Sequence, residues 1–278
     1  MNKSGIHFHA QVVRSSPNEQ LFTPPKISRR LLALFGGYSE KYLRRHFHSV
    51  RLLANSAPPV CEGLPLIIYL NHSSWWDPLV CLLLARRFFP KRNSYGPMDA
   101  RALRRYQFFR RLGFFGVEAG SVAGAKDFLE AAEAILQAED SALWITPQGR
   151  FVDFHARPVR LERGISHLTR HAARAAFVPL AVQYSFWEER LPEVLVAFGE
   201  PVIFQPNQSL RIGETTRLFE SALESVQDHL ATAAQRRRGE DWRPLLEGAA
   251  GTSIFYDLWR RARARLRGEH FRSAHSEK

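Results

Sequence analysis

The stretch Leu64-Pro65-Leu66-Ile67-Ile68-Tyr69-Leu70-Asn71-His72-Ser73-Ser74-Trp75-Trp76-Asp77-Pro78 decides the fold of this 278-residue chain. Its first half is a short, continuously apolar run, the pattern of a strand buried on both faces. The run stops in a polar loop. Asp77-Pro78 then reads as an N-cap with proline at the first helical position, opening a helix through about Phe89. A buried strand feeding a helix through a short loop is the start of a βαβ unit.

Working outward, the same alternation continues. Basic Arg101–Arg111 and alanine-rich Ser121–Ala138 read as helices, and Ala142–Ile145 and Phe177–Tyr184 as buried strands. Val194–Phe198 and Pro201–Phe204 read as a strand pair near the sheet edge, and Glu214–Gln235 and Ser253–Arg267 as closing helices. The expected fold is a single α/β domain with a mixed or largely parallel sheet flanked by helices. Upstream, residues 1–25 read as a flexible arm ending in Pro24-Pro25. Ser28 is placed to cap a helix from Arg29, interrupted or bent at Gly36-Gly37. Beyond that bend Lys41, Arg44, Arg45 and His48 form a basic stripe beside apolar Leu43, Phe47, Val50 and Ala54. The organisation expected is an arm (1–25), a basic amphipathic helical region with possible membrane contact (26–55), an α/β body (56–235) and a basic helical tail (236–278).

Composition narrows the class. At 45% hydrophobic and 24% charged residues, the chain is neither disordered nor collagen-like. It contains no run of about 18 uncharged apolar residues, which argues against a conventional membrane-spanning helix. MNKSGIHFHAQVVRSS lacks the apolar centre of a signal peptide. Two cysteines, Cys61 and Cys81, make no disulfide framework and fit a reducing cytoplasm. The net charge of +12 is carried by the flanks, +7 over residues 1–55 and +5 over 236–278, around a neutral body. Such flanks suit an anionic membrane surface, an acidic carrier protein or nucleic acid, or act only as a solubilising surface.

The chemistry concentrates at His72 and Asp77. Histidine titrates near neutrality, and a carboxylate on one ring nitrogen fixes the tautomer, leaving the other nitrogen to take a proton from a hydroxyl. The carboxyl ends of strands are also where open α/β sheets place their ligands. On these grounds alone a catalytic His72 and a structural loop histidine stand about level.

Asn71-His72 with Asp77 resembles the NHxxxxD box of the PlsC-like glycerolipid and lysophospholipid acyltransferases. Further blocks resemble that family in its order: Gly113-Phe114-Phe115-Gly116-Val117-Glu118, Thr146-Pro147-Gln148-Gly149, Arg163-Gly164, Val178-Pro179-Leu180-Ala181-Val182 and Phe198-Gly199-Glu200-Pro201. Together they span roughly residues 60–205. The resemblance implies a glycerol-3-phosphate acyltransferase-like α/β fold and transfer of an acyl group from acyl-CoA or acyl-carrier protein to a lipid hydroxyl. It implies His72 as general base, Asp77 as its orienting partner, and substrate contacts from Asn71, Ser74, Arg101, Gln148, Gly149 and Arg150. No cofactor and no metal are expected, and neither cysteine lies in a matched block. Backbone amides around Gly149 are candidates for the oxyanion.

Two departures bear on the acceptor. Ala119 stands where the family usually has an arginine associated with the acceptor phosphate, and Gln148 replaces the glutamate of the FPEG block. Either Arg150 supplies that charge, since a guanidinium clamps phosphate bidentately, or the acceptor has no phosphate monoester. The acceptor is then 1-acylglycerol-3-phosphate, another lysophospholipid, or a glycosylated or amino-acid-containing lipid. Arg101, Arg104, Arg105, Arg110 and Arg111, with Tyr106, Phe108 and Phe109 among them, suit CoA phosphates, an acidic carrier, lipid headgroups or a solvated helix face. The expected location is peripheral, at the cytoplasmic side of an anionic inner membrane. A lipid-binding homologue without turnover and a basic nucleic-acid-binding protein are the alternatives; the second lacks any recognition motif.

Overall fold

Every residue of Leu66–Leu70 is buried, because this strand lies in the middle of a sheet covered on both faces. The structure, a computed structural model, describes residues 22–171, 174–204 and 211–248. Its strands in chain order are β1 (Ser49–Leu53), β2 (Leu66–Leu70), β3 (Asn93–Asp99), β4 (Phe114–Val117), β5 (Ser141–Ile145), β6 (Ala176–Ser185), β7 (Glu193–Phe198), β8 (Val202–Ile203) and β9 (Trp242–Glu247). The helices are α1 (Arg29–His46), α2 (Asp77–Phe88), α3 (Ala100–Arg105), α4 (Val122–Leu136), α5 (Gly164–His171) and α6 (Ile212–Arg236), with 3₁₀ turns at Gln107–Leu112 and Gly239–Asp241.

The strands form one sheet in the order β4-β3-β5-β2-β6-β7-β1-β9, with β8 beside β6. From β4 to β6 all neighbours are parallel; β7 runs antiparallel to β6, β1 parallel to β7, and β9 antiparallel to β1. The domain is therefore α/β with a mixed, mostly parallel sheet. The two-residue period of β2 divides its core: Leu66, Ile68 and Leu70 join α1 and α2 on one face. Ile67 and Tyr69 join α4, α5 and α6 on the other. There Phe219 of α6 stacks on Phe177 of β6 at 4.8 Å between ring centroids, fixing α6 against β6.

Several expectations are corrected. The helix from Arg29, capped by Ser28 as expected, is not interrupted at Gly36-Gly37. Gly36 is buried where α1 crosses α2, and a Cβ there would run into the Arg86 guanidinium, so the glycine serves close approach. The helix ends at His46, and Val50 of the expected apolar stripe lies on β1, paired with Val194. The region 26–55 is thus helix and strand, and the tail read as helical contributes the edge strand β9. Val194–Phe198 and Pro201–Phe204 do not pair with each other: β7 and β8 both pair with β6, at its two ends. Arg101–Arg111 divides into α3 and a 3₁₀ turn. The expected helix Ser253–Arg267 and most of the arm lie outside the described residues.

Candidate active site

The site forms where β2 ends and α2 begins. Asn71, only 1% exposed, extends the pairing of β2 with β6 through its side chain. Its Nδ2 donates to Val182 O and its Oδ1 accepts from Val182 N, both at 2.9 Å. The chain then leaves the sheet, and the His72 backbone amide donates to Gln148 Oε1 at 2.8 Å while Val152 N donates to His72 O. His72 is thereby held between β2 and the loop after β5. The Phe151 ring lies 4.3 Å from the imidazole, centroid to centroid, and covers it.

Asp77 does not cap α2 as the sequence suggested. It is the first helical residue, the N-cap is Trp76, and no side chain caps the helix. The carboxylate turns inward instead: Oδ2 accepts from His72 Nδ1 at 2.7 Å and from Ser74 N at 3.1 Å, and Oδ1 accepts from Tyr184 Oη at 2.6 Å. With both oxygens occupied by these donors, neither serves the helix amides. The carboxylate is 1% exposed and sits at a helix N-terminus, where the backbone dipoles favour negative charge. His72 therefore carries its proton on Nδ1, and Nε2 is the ring nitrogen available to a substrate.

A cavity of about 200 Å³ opens on this pair. Asp77, Cys81, Ala85 and Phe89 of the α2 segment, four residues apart, line one wall, and Ser94 to Pro97 of β3 and Trp144 of β5 are also among its lining residues. Arg29 and Leu32 of α1 contribute as well. The arginines along it are engaged: Arg29 with Pro90 O and Asn93, Arg86 with Glu40, and Arg92 with the carbonyls of Cys61, Leu64, Glu139 and Ser141. Burial and the Asp77 carboxylate push the Cys81 thiol well above its usual range, so it stays protonated.

Of the residues expected from sequence to contact substrate, Asn71, Ser74 and Gln148 hold the loop in place. Ser74 donates its amide to Asp77 and accepts the Trp76 amide on Oγ. Gly149 adopts a positive φ of 66° in an exposed turn, and its amide donates to Thr146 O, which leaves that amide engaged in the turn. Arg150 and Arg101 are exposed, and neither lines the cavity. Sequence reading missed Tyr184 and Phe151. Tyr184 follows Val178, Leu180 and Val182 at the two-residue spacing that faces α2, so the alternation of β6 was the available signal.

Residues 48–183 match the model of the family described as Acyltransferase. Among solved structures, the 1-acyl-sn-glycerophosphate (LPA) acyltransferase PlsC of Thermotoga maritima aligns with a TM-score of 0.46 and 15% sequence identity. The alignment covers 73% of this chain and 78% of that one. No curated protein matches the sequence. Among the described residues no helix is long and apolar enough to cross a membrane. The matched segment carries the His72–Asp77 pair, the loop that holds it and most of the sheet beneath it, so the similarity to the acyltransferase family covers the candidate site.

Proposed function

We propose that the protein is a lipid O-acyltransferase that moves a fatty acyl group from acyl-CoA or acyl-carrier protein to an acceptor hydroxyl. The observation that carries the reading is the cavity, lined largely by apolar residues, that opens on an oriented His–Asp pair. His72 Nε2 takes the proton of the acceptor hydroxyl as its oxygen attacks the thioester carbonyl. The resulting tetrahedral oxyanion collapses, the carbon–sulfur bond breaks, and His72 returns the proton to the departing thiolate. Asp77 offsets the imidazolium charge between these events. The acyl chain occupies the cavity, where Arg86 is paired with the Glu40 carboxylate and Arg92 is held by backbone carbonyls.

The acceptor is a lysophospholipid such as 1-acylglycerol-3-phosphate, or a related lyso-, glyco- or amino-lipid. Ala119 in place of the family's arginine favours an acceptor read by something other than that guanidinium. The direct test is thiol release from acyl-CoA and acyl-carrier-protein donors, with extracted and then defined lyso-lipids and mass identification of the product. Acceptor-dependent release establishes transfer; release without acceptor makes the protein a thioesterase, and silence with every donor and acceptor removes the reading.

Cavity geometry adds a length prediction. Ala85 lies eight residues along α2 from Asp77, ~12 Å at the helical rise. Ala85→Leu is expected to lower kcat/KM for long-chain donors roughly tenfold while sparing short ones. Thiol release across a donor series measures this, and a uniform loss would place the chain elsewhere.

Membrane docking belongs to the same reading. Leu34 and Tyr38 of α1, Trp75 of the catalytic loop and Phe108 are exposed apolar groups. Arg30, Lys41 and Arg45 stand exposed on α1, and Arg104, Arg105 and Arg110 stand exposed around Phe108. Rings beside cations suit the interface of an anionic bilayer. The Leu34→Glu/Tyr38→Glu variant is expected to partition onto vesicles containing anionic lipid roughly tenfold more weakly. Unchanged sedimentation with vesicles would remove α1 from the interface.

A further inference from the structure

Asp77 has two carboxylate oxygens, and the pairing with His72 uses one. The other, Oδ1, is buried in the wall between α2 and the sheet, and its hydrogen-bond donor is the Tyr184 hydroxyl at 2.6 Å. Tyr184 lies near the end of β6, eight residues past the strand's start and beside Val194 of β7, and its ring packs on Phe47 at 5.7 Å. The hydroxyl is therefore delivered by a rigid strand rather than by a loop. We propose that Tyr184 is a positioning residue for acyl transfer: by holding Asp77 Oδ1 it fixes the plane of the carboxylate and, through Oδ2, the orientation of the His72 ring.

The inference rests on reading His72 as the base. With Oδ2 bonded to His72 and Ser74 alone, the carboxylate is free to swing about that edge; a donor on the second oxygen removes that freedom. The interaction is also electronic. A hydroxyl donating to Asp77 disperses its negative charge and weakens its hold on an imidazolium. The titratable groups facing the carboxylate are His72 from the loop, Cys81 from α2 and Tyr184 from β6. Burial first, and then the neighbouring Asp77 carboxylate, hold the Tyr184 hydroxyl well above the usual tyrosine range, so it remains the donor.

Tyr184→Phe keeps the ring and its packing and deletes only the hydroxyl. In the full-length variant kcat is expected to fall roughly tenfold with KM for the acyl donor unchanged within twofold. The neutral imidazole is the active base, so activity is lost as pH falls and the ring protonates. With the Asp77 charge concentrated by loss of its donor, the imidazolium gains stability. The acid limb of the rate profile, and the His72 ring titration followed by NMR, should therefore both move to higher pH, by roughly half a unit to one unit. Tyr69→Phe is the control, deleting a buried hydroxyl that has no hydrogen-bond partner among the described residues and lies on the α4 and α6 side of the sheet. A folded Tyr184→Phe with wild-type kcat and an unmoved His72 titration overturns the inference, as does an equal shift in Tyr69→Phe. If His72→Ala is inactive while Tyr184→Phe is unchanged, only the role of Tyr184 falls. If His72→Ala retains full turnover, the catalytic reading falls and takes this inference with it.

Discussion

His72→Ala is expected to lower acyl transfer by roughly 10² to 10⁴-fold, the range over which a positioned general base acts, and to leave the domain folded. The fold survives because the elements around His72 are held by its backbone. The residue 72 amide still reaches Gln148 Oε1, its carbonyl still accepts from Val152 N, and Asn71 still ties the end of β2 to β6. Asp77 loses one donor of three and keeps Ser74 N and Tyr184 Oη, so the cost in stability is about 1–3 kcal/mol. Kinetics separate this outcome from general damage: kcat collapses while KM for the acyl donor, set by the cavity, holds. Circular dichroism and thermal unfolding check the fold, and thiol release with an acceptor present checks the rate. Turnover within tenfold of wild type would move the base to another residue. Loss of donor binding together with rate would mean that the imidazole shapes the cavity mouth instead of handling a proton.

How much of this was legible in the sequence depends on how local the cause is. The strand–loop–helix at Leu66–Phe88 was readable because a buried central strand must be apolar throughout, and because a proline one residue into a helix marks its start. β1 was not, because Leu43, Phe47 and Val50 are all buried at spacings that a continued helix would also give. What ends α1 at His46 is pairing with β7, about 140 residues further along the chain. β3 contains Gly96-Pro97, which argue against an inner strand. The structure resolves the conflict by a change of partner: Asn93–Tyr95 pair with β5, whereas Gly96–Asp99 pair with β4, so Pro97 is bonded on one side only. β9 likewise carries Pro244 and accommodates it at the sheet edge. In the site, the five-residue spacing of His72 and Asp77 sufficed to suggest their pairing. The third donor to Asp77 comes from β6 and the side-chain anchor from Gln148 from the loop after β5, both distant in sequence, and no local pattern reveals these contacts.

For Asp77→Ala the expected loss is about 10⁴-fold, the upper end of the range for His72→Ala and comparable to removal of the carboxylate from a serine-protease triad. Two functions disappear together: the acceptor that keeps the proton on Nδ1, and the negative charge that offsets the imidazolium. Asp77→Asn separates them. With its amide oxygen in the place of Oδ2, the asparagine accepts from both His72 Nδ1 and Ser74 N. Its amino group then faces Tyr184 Oη, which has lone pairs to accept it. The opposite orientation sets two N–H donors against an amino group, so the first is favoured and the reactive tautomer survives. What remains missing is the charge, and the expected loss is roughly a hundredfold, about 2.7 kcal/mol of transition-state stabilisation. The alanine variant should therefore be roughly a further hundredfold slower than the asparagine one. Equal losses would mean that charge alone matters and the tautomer is held by other contacts. Near-wild-type rates in both would remove Asp77 from the mechanism, and with it the reason for a buried carboxylate at the start of α2.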